Sequence, residues 1–211
     1  MMSKISPQNI ALFNANLRYE SPEEIIKFVC DIAKKPIVTT SFGPLSASLL
    51  HACVLIKPDI QVIWCDTGYN TEATYEHLEG LSEKLSLNLD IFTPKYTTAF
   101  LDYTLGRPGI DSVYHAQFSE KVKLEPFRRA LDKHQPDVWL SNLRKGQTEH
   151  RESLDILSFS EDGILKVSPF YYYSDEQLID YLKMNNLPIQ WDYYDPVKVL
   201  DKRECGIHLP R

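Results

Sequence analysis

Cysteine is scarce and scattered in this 211-residue chain: Cys30, Cys53, Cys65 and Cys205 are the four, with no adjacent pair and no C-x-x-C. That pattern excludes a disulfide-stapled scaffold and a zinc knuckle, and it fits a reducing cytoplasm. Long apolar runs are missing as well. The longest fall far short of the roughly 20 residues that a membrane-spanning helix needs, and the N-terminus has no signal-peptide pattern, so no membrane segment is expected. No block of Lys or Arg occurs, and 23 basic against 29 acidic residues give a net charge of −6. Nucleic acid is therefore not an expected partner, while a local basic pocket remains compatible with the balance. Internal repeats and low-complexity segments are absent too. What is present is ordinary for a globular protein: 43% hydrophobic and 25% charged residues, in a chain long enough for one domain with a sizeable core and room for an appendage.

The rest of the chain is organised around Ile37-Val-Thr-Thr-Ser-Phe-Gly-Pro-Leu-Ser-Ala-Ser-Leu-Leu50. A β-prone run, Ile37 to Thr40, enters a hydroxyl-rich turn with one glycine. Pro44 falls where a helix would begin, a place that tolerates its missing N–H and fixed φ. Leu45, Leu49, Cys53 and Ile56 follow at helical spacing. A strand that turns through Ser41-x-Gly43 into a helix aims free backbone N–H groups and the positive helix end at one spot, which suits phosphate or sulfate. An ordinary βα turn is the alternative for this stretch taken alone.

Upstream, Ser21-Pro22-Glu23-Glu24 reads as a capping box that starts a helix with Ile25, Ile26, Phe28, Val29 and Ile32 on its buried side. Downstream, Ile60 to Cys65 reads as a buried parallel strand that ends at the polar corner Asp66-Thr67-Gly68-Tyr69. Tyr75, Leu78, Leu81 and Leu85 mark a helix, and Leu87 to Phe92 a third strand. This β-α-β-α-β rhythm implies an α/β fold with a doubly wound, mostly parallel sheet, whose ligands bind at the carboxyl ends of the strands. Residues 94–118 read as irregular, Ser119 to Lys133 as helix interrupted at Pro126, Asp137 to Leu140 and Ile164 to Val167 as strands, and Ser174 to Met184 as a capped helix.

Two further stretches carry chemistry. Ser141-Asn-Leu-Arg144-Lys145-Gly-Gln147-Thr-Glu-His-Arg151 puts three cations and several amides just past a strand end. It is either a solvated surface loop or a clamp for an anion facing the first loop. Near the C-terminus, Cys205 is followed by Gly206 and flanked by Lys202, Arg203 and His208. Nearby cations stabilise a thiolate and glycine leaves the sulfur approachable, as a reactive thiol requires; an exposed terminal cysteine is the alternative. Residues 1–190 are expected to form the α/β domain, with an N-terminal helical segment 1–35. Residues 191–211, which have little periodicity, are expected to be a mobile, weakly packed tail that carries the cysteine.

Thr40-Ser41-Phe42-Gly43, Asp66-Thr67-Gly68-Tyr69, Lys123-Leu-Glu125-Pro126, Leu143-Arg144-Lys145-x-Gln147 with Arg151, and Lys202-Arg203-Glu204-Cys205-Gly206-Ile207-His208 together resemble the phosphoadenylyl-sulfate (PAPS) reductase family, in its order and at similar spacing. The resemblance implies an adenine nucleotide α-hydrolase-like (PP-loop type) fold, a homodimer, and reduction of PAPS to sulfite and adenosine 3′,5′-bisphosphate. It implies Cys205 as nucleophile with Arg203 and His208 beside it. It also implies Ser41, Phe42, Gly43, Asp66, Thr67, Gly68, Tyr69, Lys123, Arg144, Lys145, Gln147, Arg151 and Lys202 as the substrate-binding set. Thioredoxin or glutaredoxin would release sulfite from an S-sulfocysteine, since no second cysteine lies near Cys205. Members that take adenylyl sulfate (APS) usually hold a [4Fe–4S] cluster on paired cysteines. The matching positions here resemble Phe118 and Ser119, so no iron–sulfur cluster is expected. The chain departs from the family between the last helix and the cysteine, where Trp191 to Leu200 replaces a Gly-Tyr-x-Ser-x-Gly-Asp-x-x-Thr-Thr-like stretch.

Three other readings stay open at this level. A PP-loop ATP pyrophosphatase would carry Ser-Gly-Gly-x-Asp-Ser, where this chain has Leu45 in place of the acidic residue, against a need for carboxylates near phosphate-bound Mg²⁺. The others are a non-catalytic nucleotide-binding homologue and an APS-preferring enzyme.

Overall fold

The computed structural model describes residues 5–106 and 113–197. Lys202, Arg203, Cys205 and His208 lie outside the described residues. Six strands form one sheet: β1 (Pro36–Thr40), β2 (Gln61–Cys65), β3 (Asn88–Phe92), β4 (Val138–Leu140), β5 (Leu157–Phe159) and β6 (Leu165–Val167). Their spatial order is β3-β2-β1-β4-β6-β5, and all pairs are parallel except β5 with β6. The chain winds outward from β1 to β3 on one side and restarts at β4 on the other. The sheet therefore has its topological switch point between the carboxyl ends of β1 and β4.

The sheet is apolar on both faces, which is what helices on each side require. Val38, Val62 and Leu140 face a core built with α2 (Pro22–Ile32), α3 (Ser46–Ile56) and α9 (Asp175–Met184), whereas Ile37, Ile63 and Trp139 face Phe127 and Ala130 of α7 (Glu125–His134). Helix α4 (Glu72–Leu85) contributes Leu81 to the first of these cores. Both expected capping boxes form: the Ser21 and Ser174 side chains accept from the N–H groups of Glu24 and Gln177, each box contributing on the order of 1 kcal/mol.

Several elements differ from the expectations. The N-terminal segment holds a separate helix, α1 (Ile10–Leu17), before α2. Asn14 of α1 exchanges two hydrogen bonds with the backbone of Leu157, at 3.0 and 2.8 Å, and so fastens α1 to the edge strand β5. The stretch read as irregular contains α5 (Thr98–Leu105), which Thr97 caps. Its exposed Phe100 and Tyr103 blur the apolar periodicity that would have marked it. The helix expected from Ser119 begins earlier as α6 (His115–Ser119), and its interruption is a π-helical turn, Glu120–Leu124, directly before Pro126. Proline has no N–H to give to a carbonyl one turn back, so the regular helical ladder is broken there as well. Pro44 does not open α3; it lies in the turn before the helix, whose first residue is Ser46.

The first residues of the expected tail, 191–197, fall within the described part of the chain. Asp195 and Val197 are 7% and 1% exposed, and Val197 packs with Leu101, Leu105, Phe118 and Val122. Residues 195–197 are buried against the domain, because a carboxylate and a valine in this run find partners that apolar periodicity does not reveal, whereas Trp191, Asp192 and Tyr194 are exposed. Among the described residues, no helix is long and apolar enough to cross a membrane.

Candidate active site

A cleft of about 340 Å³ opens at the switch point. Its floor is the β1–α3 loop. Phe42 adopts φ 50° and its N–H donates to Thr40 Oγ1 at 3.0 Å, which turns the chain sharply after the strand. Helix α3 then starts without a side-chain cap and without an acidic residue in its first turn, so its positive end is uncompensated where it meets the cleft. Ser41, Gly43 and Ser46 line the cleft. Phe42 does not: it is fully buried and packs edge-on against Trp64, with ring centroids 5.5 Å apart. Of the expected binding residues in this loop, Phe42 supplies backbone shape and core, not a ligand-facing side chain.

The corner after β2 divides in the same way. Thr67 lines the cleft. Asp66 instead organises the corner, accepting from the Gly68 N–H at 2.8 Å, Asn70 Nδ2 at 2.7 Å and the Tyr75 hydroxyl at 3.0 Å. Gly68 sits at φ 77°, and a Cβ there would meet Thr98 Cγ2 at 2.8 Å, so the position takes no larger residue without strain. The Tyr69 hydroxyl donates to Asp102 at 2.8 Å and its ring packs on Phe118, which ties the corner to α5 and α6.

The far wall carries the charge. Arg144, in the loop after β4, and Arg151, in α8 (Glu149–Glu152), both line the cleft and are both more than nine-tenths buried. Burial pushes the Arg144 guanidinium below its usual pKa; Asp175, to which it donates, opposes that shift, and the neighbouring Arg151 adds to it. Gln147 accepts from the backbone N–H of Arg144 at 3.0 Å and from the guanidinium of Arg151. Lys123 comes from the π-helical turn and pairs with Asp195, both buried. Lys145 is placed elsewhere: it is exposed, with its ammonium 5.8 Å from the centre of the Tyr172 ring.

The cleft also uses residues that the sequence reading did not single out. The side-chain oxygens of Ser46, Ser141 and Asn142 and Nε of Arg144 are buried in its lining without a hydrogen-bond partner among the described residues. Buried polar atoms are costly when unmet, so these point to a polar ligand. Asp175 read as a helix-capping residue, and Tyr193 and Asp195 read as tail. For Ser141 and Asn142 the signal was available, since they open the same loop as Arg144. No group of three or more His, Cys, Asp or Glu among the described residues is arranged to hold a metal ion.

A doubly wound sheet with a cation-bearing cleft at its switch point defines an α/β protein whose ligand site lies at the carboxyl ends of its strands. The fold is shared with the PAPS reductase of Candida auris solved as a phosphate complex, at TM-score 0.76 and 22% identity over 89% of this chain and 91% of that one. It is shared more distantly with the FMN adenylyltransferase of Candida glabrata, at TM-score 0.59 and 12% identity over 90% of this chain and 62% of that one. In sequence, residues 35–194 match the model of the phosphoadenosine phosphosulfate reductase domain. The chain is 34% identical to phosphoadenosine 5′-phosphosulfate reductase of Aliivibrio salmonicida, over 85% of this chain and 71% of the relative. It is 30% identical to that of Synechococcus sp., over 93% and 95%. The chain belongs to the phosphoadenosine phosphosulfate reductase family of oxidoreductases.

Proposed function

We propose that this protein reduces PAPS to sulfite and adenosine 3′,5′-bisphosphate. The observation that carries the reading is the convergence of Arg144, Arg151 and Lys123 with the unmet hydroxyls of Ser46 and Ser141 on one cleft, in a chain of this family. The Cys205 thiolate attacks the sulfur of the phosphosulfate. An S–S bond forms, the sulfur–oxygen bond to phosphate breaks, and the nucleotide leaves with the electron pair. Negative charge grows on that phosphate, and preorganised cations and the α3 terminus stabilise it without reorganising. A thiolate of a dithiol protein, of thioredoxin or glutaredoxin type, then attacks the Cys205 sulfur. Sulfite departs with its electron pair, and the donor's second thiol closes a disulfide and regenerates Cys205. The reaction needs no iron in this reading, and the enzyme works as a homodimer in the cytoplasm.

The deciding experiment is a sulfite-release assay with thioredoxin and its reductase, run with an iron chelator present, that compares PAPS with APS. Release from PAPS alone is expected. Release from APS at an equal or greater rate would replace the substrate, and none from either would leave a nucleotide-binding homologue without turnover.

A further inference from the structure

Asp195 is 7% exposed and pairs with Lys123, itself 6% exposed, at the wall of the cleft. The contact is built from several sides. Asp195 also accepts from the Val197 N–H at 3.0 Å and from the Tyr193 hydroxyl at 3.4 Å. Tyr193 lies on the β1–α3 loop, where a Cβ added to Gly43 would touch its ring at 3.4 Å. One residue earlier, the Asp192 carbonyl accepts from Thr71 Oγ1 at 2.9 Å. Residues 192–197 thus bridge the corner after β2, the anion loop and the π-helical turn, and they bring a second carboxylate, besides Asp175, into a cleft that holds Lys123, Arg144 and Arg151.

We infer that Asp195 is a resident counter-anion that sets which anions the cleft accepts: a ligand takes Lys123 only in exchange for Asp195. The inference rests on the anion-binding reading of the cleft. Two anions compete for one ammonium, and a carboxylate left buried beside a second negative charge is heavily penalised. Exchange therefore requires that Asp195 leave together with Tyr193 and Val197. A ligand with enough further charge for Arg144 and Arg151 can drive that displacement, whereas a small singly charged anion cannot.

The test is calorimetric titration of the full chain and of Asp195→Asn with adenosine 3′,5′-bisphosphate and with inorganic sulfate, together with amide hydrogen exchange on the unaltered protein. Relief of like-charge repulsion should tighten nucleotide binding by about tenfold in Asp195→Asn, and nucleotide should speed exchange of the Val197 amide in the unaltered chain. Unchanged or weaker binding by a folded Asp195→Asn overturns the inference, as does unchanged or slower exchange at Val197. Should Asp195→Asn fail to fold, the exchange measurement decides alone. If the nucleotide does not bind the unaltered chain but sulfate binds Asp195→Asn more tightly, the counter-anion stands and the nucleotide reading falls. If neither probe binds either protein, both fall.

Discussion

Gln147 joins the two arginines of the cleft: one side-chain oxygen accepts from the backbone N–H of Arg144 at 3.0 Å and from the guanidinium of Arg151. Gln147 lines the cleft, in keeping with its place in the expected binding set, and this geometry also makes it a brace. It fixes where one arginine's loop turns and where the other's side chain points.

Gln147→Ala should therefore weaken adenosine 3′,5′-bisphosphate by about tenfold or more, the usual effect of losing a hydrogen bond to a charged group. Thermal stability should change little, since Gln147 is only partly buried. Calorimetric titration and a melting curve check the two halves. Unchanged affinity would show that Arg151 holds its place without the brace.

Phe42→Ala tests the reassignment of Phe42 from the binding set to the core. Removing a fully buried phenyl ring that packs on Trp64 should cost about 3–5 kcal/mol of stability. Nucleotide affinity per folded molecule should stay near that of the unaltered chain. Urea denaturation with parallel titration separates these effects, and a large loss of affinity at full stability would return Phe42 to the binding set.

Cys205→Ser should abolish sulfite release and leave nucleotide binding nearly intact. Cys65→Ser is the stricter control, because Cys65 also lines the cleft and yet takes no part in the proposed chemistry. Turnover of even about a tenth of the starting rate in Cys205→Ser would end the covalent route, since a hydroxyl does not replace a thiolate nucleophile.

Alkylation should depend steeply on pH at the structural cysteines. Burial pushes the Cys30 thiol up to about 11, and the fully buried Cys53 thiol also lies well above its ordinary value. A raised thiol pKa keeps the neutral form through the physiological range, with thiolate appearing only as pH climbs. At pH 8 about one Cys30 in a thousand is thiolate, so labelling by iodoacetamide should rise about tenfold per pH unit toward 11. Mass-mapped labelling across pH 7–10 checks this. Labelling of Cys30 at pH 7 as fast as a free thiol would contradict the burial argument.

The fold was legible where local rules and tertiary packing agree. β1 and β2 are β-rich runs with buried residues on both faces, and both capping boxes formed because the cap residues sit at fixed offsets from the helix start. Short edge elements were not legible. β5 has three residues and is held by Asn14 from 143 positions away, a partner no local window contains. At the site, residue types pointed to the right loops but not to which side chains turn inward. Arg144 and its neighbour Lys145 are equally cationic in sequence, yet one lines the cleft and the other stacks outside on Tyr172. Asp175 and Asp195 were missed because a carboxylate that serves a cationic cleft looks like any helix cap or tail residue until the chain is folded.

The π-helical turn at Glu120–Leu124 means that Lys123 owes its direction to one surplus residue. An α-helix advances about 100° per residue, so deleting a single residue from that turn would swing the residues before it by about a quarter-turn relative to α7. The shortened sequence would make a more regular helix and a poorer cleft. Length, and not only composition, is thus under constraint at this point of the chain: single-residue deletions there should damage function more than many substitutions do, and they should lower the melting temperature as well, because the swing takes Phe118 and Val122 out of their cluster and Lys123 away from Asp195.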